Sequence, residues 1–167
     1  MRKSRFLVSL LSAVLMLVFM SSPTFAAESE DASMIPTTGE PSIDPNYGEG
    51  TIKTPGIQLF ANQYLAGGKS TISRSGSTVT VSGNTTARTS VDVIGVRITL
   101  QKWDAKKGTW INLSNLGEYK SYGSTFVAGS QKVTVSKGRY RTSNFHWIQK
   151  GGKLENASSV STYIEVK

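Results

Sequence analysis

Residues 132–155 read KVTVSKGRYRTSNFHWIQKGGKLE, and the reading of this stretch decides the fold. Val133 and Val135 alternate with polar residues, Gly138 centres a turn over residues 136–139, and a second strand runs from Arg139 to Gln149 before a Gly151-Gly152 hairpin signal. Side chains of a strand alternate between faces with period two, so two such runs joined by tight turns spell an antiparallel sheet. Placing Tyr140 and Thr142 inward puts Arg139 and Arg141 outward. Continued strictly, the same alternation would expose Phe145 and Trp147. Two exposed rings are costly, so a β-bulge at Ser143 and Asn144 is expected to return both aromatics to the core.

The rest of residues 57–167 follows the same grammar. There is no proline here, and twelve glycines punctuate the segment roughly every ten residues. Sustained helical periodicity is missing from the pattern. The expected fold is all-β: an antiparallel β-sandwich of immunoglobulin or fibronectin type, with about seven strands around one core. The strands fall at 69–73, 79–85, 91–103, 110–116, 126–136, 139–149 and 160–166. In the third of these, Ile94, Val96, Ile98 and Leu100 point inward, and Arg97, Thr99, Gln101 and Trp103 outward. In the last, Val160, Thr162, Ile164 and Val166 point inward, and Ser161, Tyr163 and Glu165 outward. The segment WDAKKGTW, Trp103 to Trp110, forms a hairpin with Lys106 and Lys107 at its tip and Gly108 in the left-handed position. Whether its two tryptophans share a face depends on a register that one residue of slip would reverse.

Two segments precede this domain. Arg2, Lys3 and Arg5 lead into an apolar run of fifteen residues, 6–20, followed by small residues up to Ala27. That run is shorter than the ~20 residues a spanning helix needs, so 1–26 reads as a secretory signal peptide, leaving no stable membrane span after processing. Residues 27–56 hold four of the five prolines and six carboxylates against one lysine, a net charge of −5. With so little apolar surface, this segment reads as a disordered linker. The chain has no cysteine, so disulfides and thiolate metal sites are excluded.

The glycine two residues before Tyr140 resembles the tyrosine corner of immunoglobulin-like sandwiches. LQKW at residues 100–103 with Trp110, GRYR at 138–141 and GGKLE at 151–155 together resemble an uncharacterised family of small secreted immunoglobulin-like β-sandwich proteins of Gram-positive bacteria. The resemblance spans roughly Tyr64 to Val166. It implies fold and export, and transfers no catalytic residue; the exported chain is expected to be extracellular, at the cell surface or associated with the cell wall. The shared residues read structurally: glycines for turns, Tyr140 for the corner, and Arg141 as a partner for Glu155.

Catalysis would need paired carboxylates or a partnered histidine, and the domain offers only Asp92, Asp104, Glu118, Glu155, Glu165 and His146, in no recognisable motif. His146, between Phe145 and Trp147, reads as a strand residue rather than a base or ligand. No cofactor, metal site or enzymatic activity is expected. Charge is the informative feature, for residues 57–167 carry 15 Lys and Arg against 5 Asp and Glu, a net of +10. An exposed face combining Arg97, Arg139 and Arg141 with Trp103, Trp110 and Tyr163, flanked by Lys106 and Lys107, suits anionic polymers. The leading expectation is a secreted, non-catalytic module binding an anionic cell-wall polymer or extracellular polyanion. Two alternatives stand beside it: a neutral-glycan binder stacking sugars on Trp103, Trp110, Tyr119 or Tyr122, and a small secreted effector that binds another protein.

Overall fold

The computed structural model describes residues 39–52 and 62–167. Among these the chain is all-β and antiparallel: β1 (Tyr47–Thr51), β2 (Leu65–Ser75), β3 (Thr78–Asp104), β4 (Thr109–Thr134), β5 (Gly138–Lys150), β6 (Lys153–Val160) and β7 (Ile164–Val166). No helix among the described residues is long and apolar enough to cross a membrane. The signal peptide expected at 1–26 lies outside the described residues, as do 27–38 and 53–56 of the expected linker.

Neighbouring strands run in the order β1-β2-β3-β5-β6, with β4 along β3 and β7 beside β5. β3 is the spine. One of its edges carries β4 along nearly its whole length, while the other carries β2 at residues 78–87 and β5 at 93–102. Between Thr86 and Val91 the β3–β4 register shifts, and bulges of this kind add bend and twist. The sheet curls into a half-barrel. Side chains of β5 thereby reach backbone across the interior: Thr142 Oγ1 donates to the Thr71 carbonyl at 2.9 Å, and Asn144 Nδ2 to the Ser82 carbonyl at 3.0 Å. Ile72, Val79, Val81, Ile94, Val96, Ile98 and Leu100 fill the core between the two halves. Each such side chain contributes about 1.5–3 kcal/mol by leaving water.

Several expectations change at this level. The strands read at 79–85 and 91–103 are one element, β3, and those at 110–116 and 126–136 are one, β4. The short runs were separated at 86–90 and 117–125, where the ladder bends without ending. The turn at Gly151-Gly152 opens a strand absent from the expected set, β6, whose residues alternate weakly because its polar side chains are inward as often as outward. β1 lies within the segment read as disordered. It joins the sheet through backbone pairing with β2, from Tyr47 opposite Ser73 to Thr51 opposite Lys69, which needs little apolar surface of its own.

The bulge expected at Ser143 and Asn144 does not form. β5 pairs with β3 without a slip from Gln149 opposite Val93 to Tyr140 opposite Lys102, and Tyr140, Thr142, Asn144, His146 and Ile148 are the buried set. Phe145 and Trp147 therefore stay on the outer face, half-buried under cationic side chains: Arg97 lies 5.7 Å from the Phe145 ring centroid and Lys120 5.3 Å from that of Trp147. The exposure that made a bulge attractive is relieved by those long stems. The alternation expected over 160–166 also breaks, because β6 and β7 are separate. Val160 is exposed, Ser161 is buried, and only Ile164 and Val166 keep their inward places. Arg141 does not pair with Glu155. The Glu155 carboxylate instead accepts the backbone N–H groups of Gln63, Tyr64 and Leu65 at 2.8–2.9 Å, anchoring the start of β2. The corner at Tyr140 forms as read, its hydroxyl donating to the Ser136 carbonyl at 2.7 Å.

Candidate functional site

The hairpin between β3 and β4 pairs Trp103 directly opposite Trp110, so the two tryptophans share a face. The Asp104 carboxylate accepts the backbone N–H groups of Lys106 and Lys107 at 3.0 and 3.2 Å, and Gly108 closes the turn at φ +63°. Both lysine side chains are left in solvent at the tip. Trp110 meets Trp103 edge to face, with centroids 5.5 Å apart, and lies 6.1 Å from Tyr163.

Two arginines of β5 cover this aromatic row. The Arg141 guanidinium sits 4.3 Å from the Trp110 centroid, and that of Arg139 sits 5.5 Å from Tyr163. Arg141 is held in plane by a relay: its Nε donates to Gln101 Oε1 at 2.7 Å, and Gln101 Nε2 donates to Asn112 Oδ1 at 2.8 Å. Burial pulls the Arg141 guanidinium down to about 10, and it remains a cation at neutral pH. Among the described residues no carboxylate lies within 4.0 Å of it. Trp103, Trp110, Arg139, Arg141 and Tyr163 thus form one cluster, with Lys106 and Lys107 at its margin.

Arg97 stands on the same outer face, opposite Phe145, four positions along β3 from Gln101. It pairs with Glu118 at 3.2 Å in a second group that holds Phe145, Lys120 and Trp147, whose indole N–H donates to the same Glu118 oxygen at 3.1 Å. Lys120 foremost holds the Glu118 carboxyl below its ordinary range. Arg97 is neutralised there, an outcome that cross-strand register decides and strand alternation cannot. Of the alternative stacking residues, Tyr119 lies against Gly129 with its hydroxyl donating to the Ser130 carbonyl at 2.9 Å, and Tyr122 stands exposed by itself.

The acidic segment ahead of β1 runs beside the arginine cluster. Pro41 makes a parallel bridge with Tyr163, the Tyr163 N–H donates to the Glu40 carbonyl at 3.1 Å, and Ser42 N–H donates to the Tyr163 carbonyl at 2.9 Å. Gly39 rests against Arg141 and Trp110. Between this segment and residues 158–162 opens a cleft of about 580 Å³ whose lining includes Arg141, Glu40, Glu49 and Thr51. Gln101, Asn112 and the 39–42 strap were missed in the sequence. The pairing of Gln101 opposite Arg141 would have identified the first, but only once the β3–β5 register was known.

Inside the sheet lies a second polar group. His146 is fully buried, with Nδ1 2.9 Å from Thr85 Oγ1 and Nε2 2.7 Å from Ser159 Oγ, which in turn is 2.5 Å from Ser70 Oγ. Because the Thr85 hydroxyl donates to the Gly95 carbonyl at 3.0 Å, its oxygen is free to accept, which assigns the imidazole proton to Nδ1. Ser159 then donates to Nε2. Burial pushes the imidazole down to about 4, so it is neutral at physiological pH. The partner at Nδ1 is a hydroxyl and not a carboxylate, and Ser159 is itself buried.

No protein-family model matches the chain, and no curated protein matches it either.

Proposed function

We propose that this chain is a secreted, non-catalytic module that binds anionic envelope or extracellular polymers through the cluster of Arg139, Arg141, Trp103, Trp110 and Tyr163, with Lys106 and Lys107 extending the positive surface. The observation that carries the reading is Arg141: a half-buried guanidinium stacked on an indole, oriented by Gln101, and without a carboxylate partner among the described residues. A cation prepared in this way suits carboxylate, sulfate or phosphate groups along a polymer. The net +10 of residues 57–167 supports the sign of the partner. The buried, hydroxyl-partnered His146 supports a scaffold role over a catalytic one. The Tyr140 corner and the facing of β2 against β5 support an immunoglobulin-like sandwich, and the apolar run at 6–20 supports export.

The test is retention on a teichoic-acid-like polymer over a salt series. Arg139→Gln with Arg141→Gln should weaken binding roughly 10- to 100-fold at low salt and flatten its salt dependence, because fewer counterions are released. Arg97→Gln, already paired with Glu118, should change it less than about 3-fold. The clustering of Trp103, Trp110 and Tyr163 also favours a second reading, stacking of neutral sugars. Binding that ignores salt and survives loss of both arginines would select that reading. Failure of the parent protein to bind any polymer would remove both.

A further inference from the structure

We propose that Arg141 and Trp110 form a discrete subsite for one anionic group, a carboxylate or phosphate, carried on a hydroxyl-rich chain that lies in the cleft between residues 39–51 and 158–162. The inference rests on the polymer-binding reading for the source of the ligand, and on independent geometry for the site. Of the five N–H groups of Arg141, the one at Nε goes to Gln101, and among the described residues neither Nη finds an acceptor. The indole N–H of Trp110 is buried and has no partner among the described residues. A buried donor without an acceptor is destabilising, so such groups are kept satisfied in most folds.

Arg141 is the group that opens to the cleft: it is among the lining residues, and the Trp110 ring backs its guanidinium at 4.3 Å. One anion in the cleft would accept from the guanidinium, with the indole stacked behind it. The Gln101–Asn112 relay sets the guanidinium plane before a ligand arrives, which limits the ordering that binding requires.

The cleft also limits what the anion is attached to. At about 580 Å³ it has room well beyond one carboxylate or phosphate, yet Arg141 is the one cation among its lining residues. Thr51, Ser158 and the Glu40 carboxylate are exposed along it: the two hydroxyls can donate to or accept from a ligand's hydroxyls, and the carboxylate can accept from them. Glu49 is already engaged, with Lys69 and the Tyr47 hydroxyl each 2.6 Å from its carboxylate. A sugar acid or a polyol phosphate matches this lining; a densely charged chain does not.

The probes are glucuronate and glycerol phosphate, with glucose as the neutral control, titrated into the purified ¹⁵N-labelled protein at about 0.5 M salt to suppress diffuse charge attraction. The Trp110 indole N–H and Arg141 Nε–H resonances should shift saturably with one or both anions and not with glucose. Which anion acts distinguishes carboxylate from phosphate. Arg141→Lys keeps the charge but loses the fork and should weaken binding about 10- to 100-fold; Trp110→Phe shrinks the ring stacked on the guanidinium and should weaken it about 3- to 10-fold, with both variants unfolding at the parental midpoint. Resonances unmoved by either anion, or Arg141→Lys binding like the parent, would overturn the subsite. Polymer retention at low salt with unmoved resonances would leave the basic-face reading standing alone. Probe binding without polymer retention would keep the subsite and discard the polymer.

Discussion

The two faces of β5 offer the same strand two ways. Inward it presents Tyr140, Thr142, Asn144, His146 and Ile148, outward Arg139, Arg141, Phe145 and Trp147. The inner polar groups are nearly all matched: His146 by Thr85 and Ser159, Thr142 by Thr71, and Asn144 by two carbonyls, with only its Oδ1 lacking a partner. Among the described residues, the outer face leaves donors unmatched at Arg141 and the neighbouring Trp110. Hydrogen bonding separates the two faces, since a satisfied buried network holds structure together and an unsatisfied oriented donor stays open to a partner.

The largest effect should come from breaking the inner network. His146→Ala leaves a cavity and strands the hydroxyls of Thr85 and Ser159, costing roughly 3–5 kcal/mol in urea unfolding. Trp147→Ala, one position along on the outer face, should cost about half as much, because its ring is only half-buried and its partners Glu118 and Lys120 remain solvated. The inner site also carries a pH signature. With His146 held at about 4 against an ordinary 6.5, the unfolded chain binds the proton first as pH falls. Stability is therefore fully present above pH 6.5 and declines towards pH 4, by roughly 3 kcal/mol from this group. His146→Gln should remove that slope. A parental slope that persists in the variant, or a cost for His146→Ala below about 1 kcal/mol, would show that the relay is dispensable.

Sequence alternation located the core strand of β3, the tryptophan hairpin, the tyrosine corner and five of the eight residues proposed to bind ligand as one cluster. It failed where burial and polarity part company. Asn144 and His146 look like surface residues, Phe145 and Trp147 like core, and the bulge that would have reconciled them was an attempt to keep polarity and burial aligned. The strand instead keeps its register and satisfies the inward polar groups from β2, β3 and β6, contacts separated by 13 to 75 residues in sequence. Arg97 lies outward on the same face as Arg141, as alternation placed it, but its pairing with Glu118 depends on how β3 and β4 slip past one another. β1 was missed because an edge strand held by backbone pairing leaves little trace in composition.

A matched pair of glycines sharpens the contrast at smaller cost. A Cβ on Gly68 would overlap the buried His146 ring, and one on Gly95 would overlap the Trp147 indole. Neither glycine has positive φ, so the backbone accepts alanine at both and the side-chain neighbour decides the outcome. His146 is fixed by hydrogen bonds at both ring nitrogens, whereas Trp147 can swing towards solvent by giving up one bond to Glu118. Gly68→Ala should therefore cost about 2–3 kcal/mol, in the range of core overpacking, and Gly95→Ala about 1 kcal/mol. Equal costs would mean that the outer aromatic is packed as rigidly as the inner imidazole.

The smallest effect concerns the acidic strap beside the outer cluster. Glu40 lines the cleft with Arg141, and its side chain is exposed while its carbonyl is tied to the Tyr163 N–H at 3.1 Å. Glu40→Gln should leave the strap in place, because the tie is through backbone, and should remove one negative charge near the site where an anion is expected to dock. An exposed charge at this range contributes under about 1 kcal/mol, so affinity for the polymer should rise only about 2- to 3-fold at low salt. Screening shortens the reach of that charge to about 8 Å at physiological ionic strength, and the gain should fade as salt is raised. Glu49→Gln is the contrasting variant: with Lys69 and Tyr47 at its carboxylate, it should loosen the pairing of β1 rather than tighten anion binding. Affinities of both variants and the parent across a salt series decide the point. If Glu40→Gln binds like the parent at every salt concentration, the charge of the strap is not felt at Arg141; if it binds more weakly, Glu40 touches the ligand itself, and the hydroxyl-rich portion must lie along the strap.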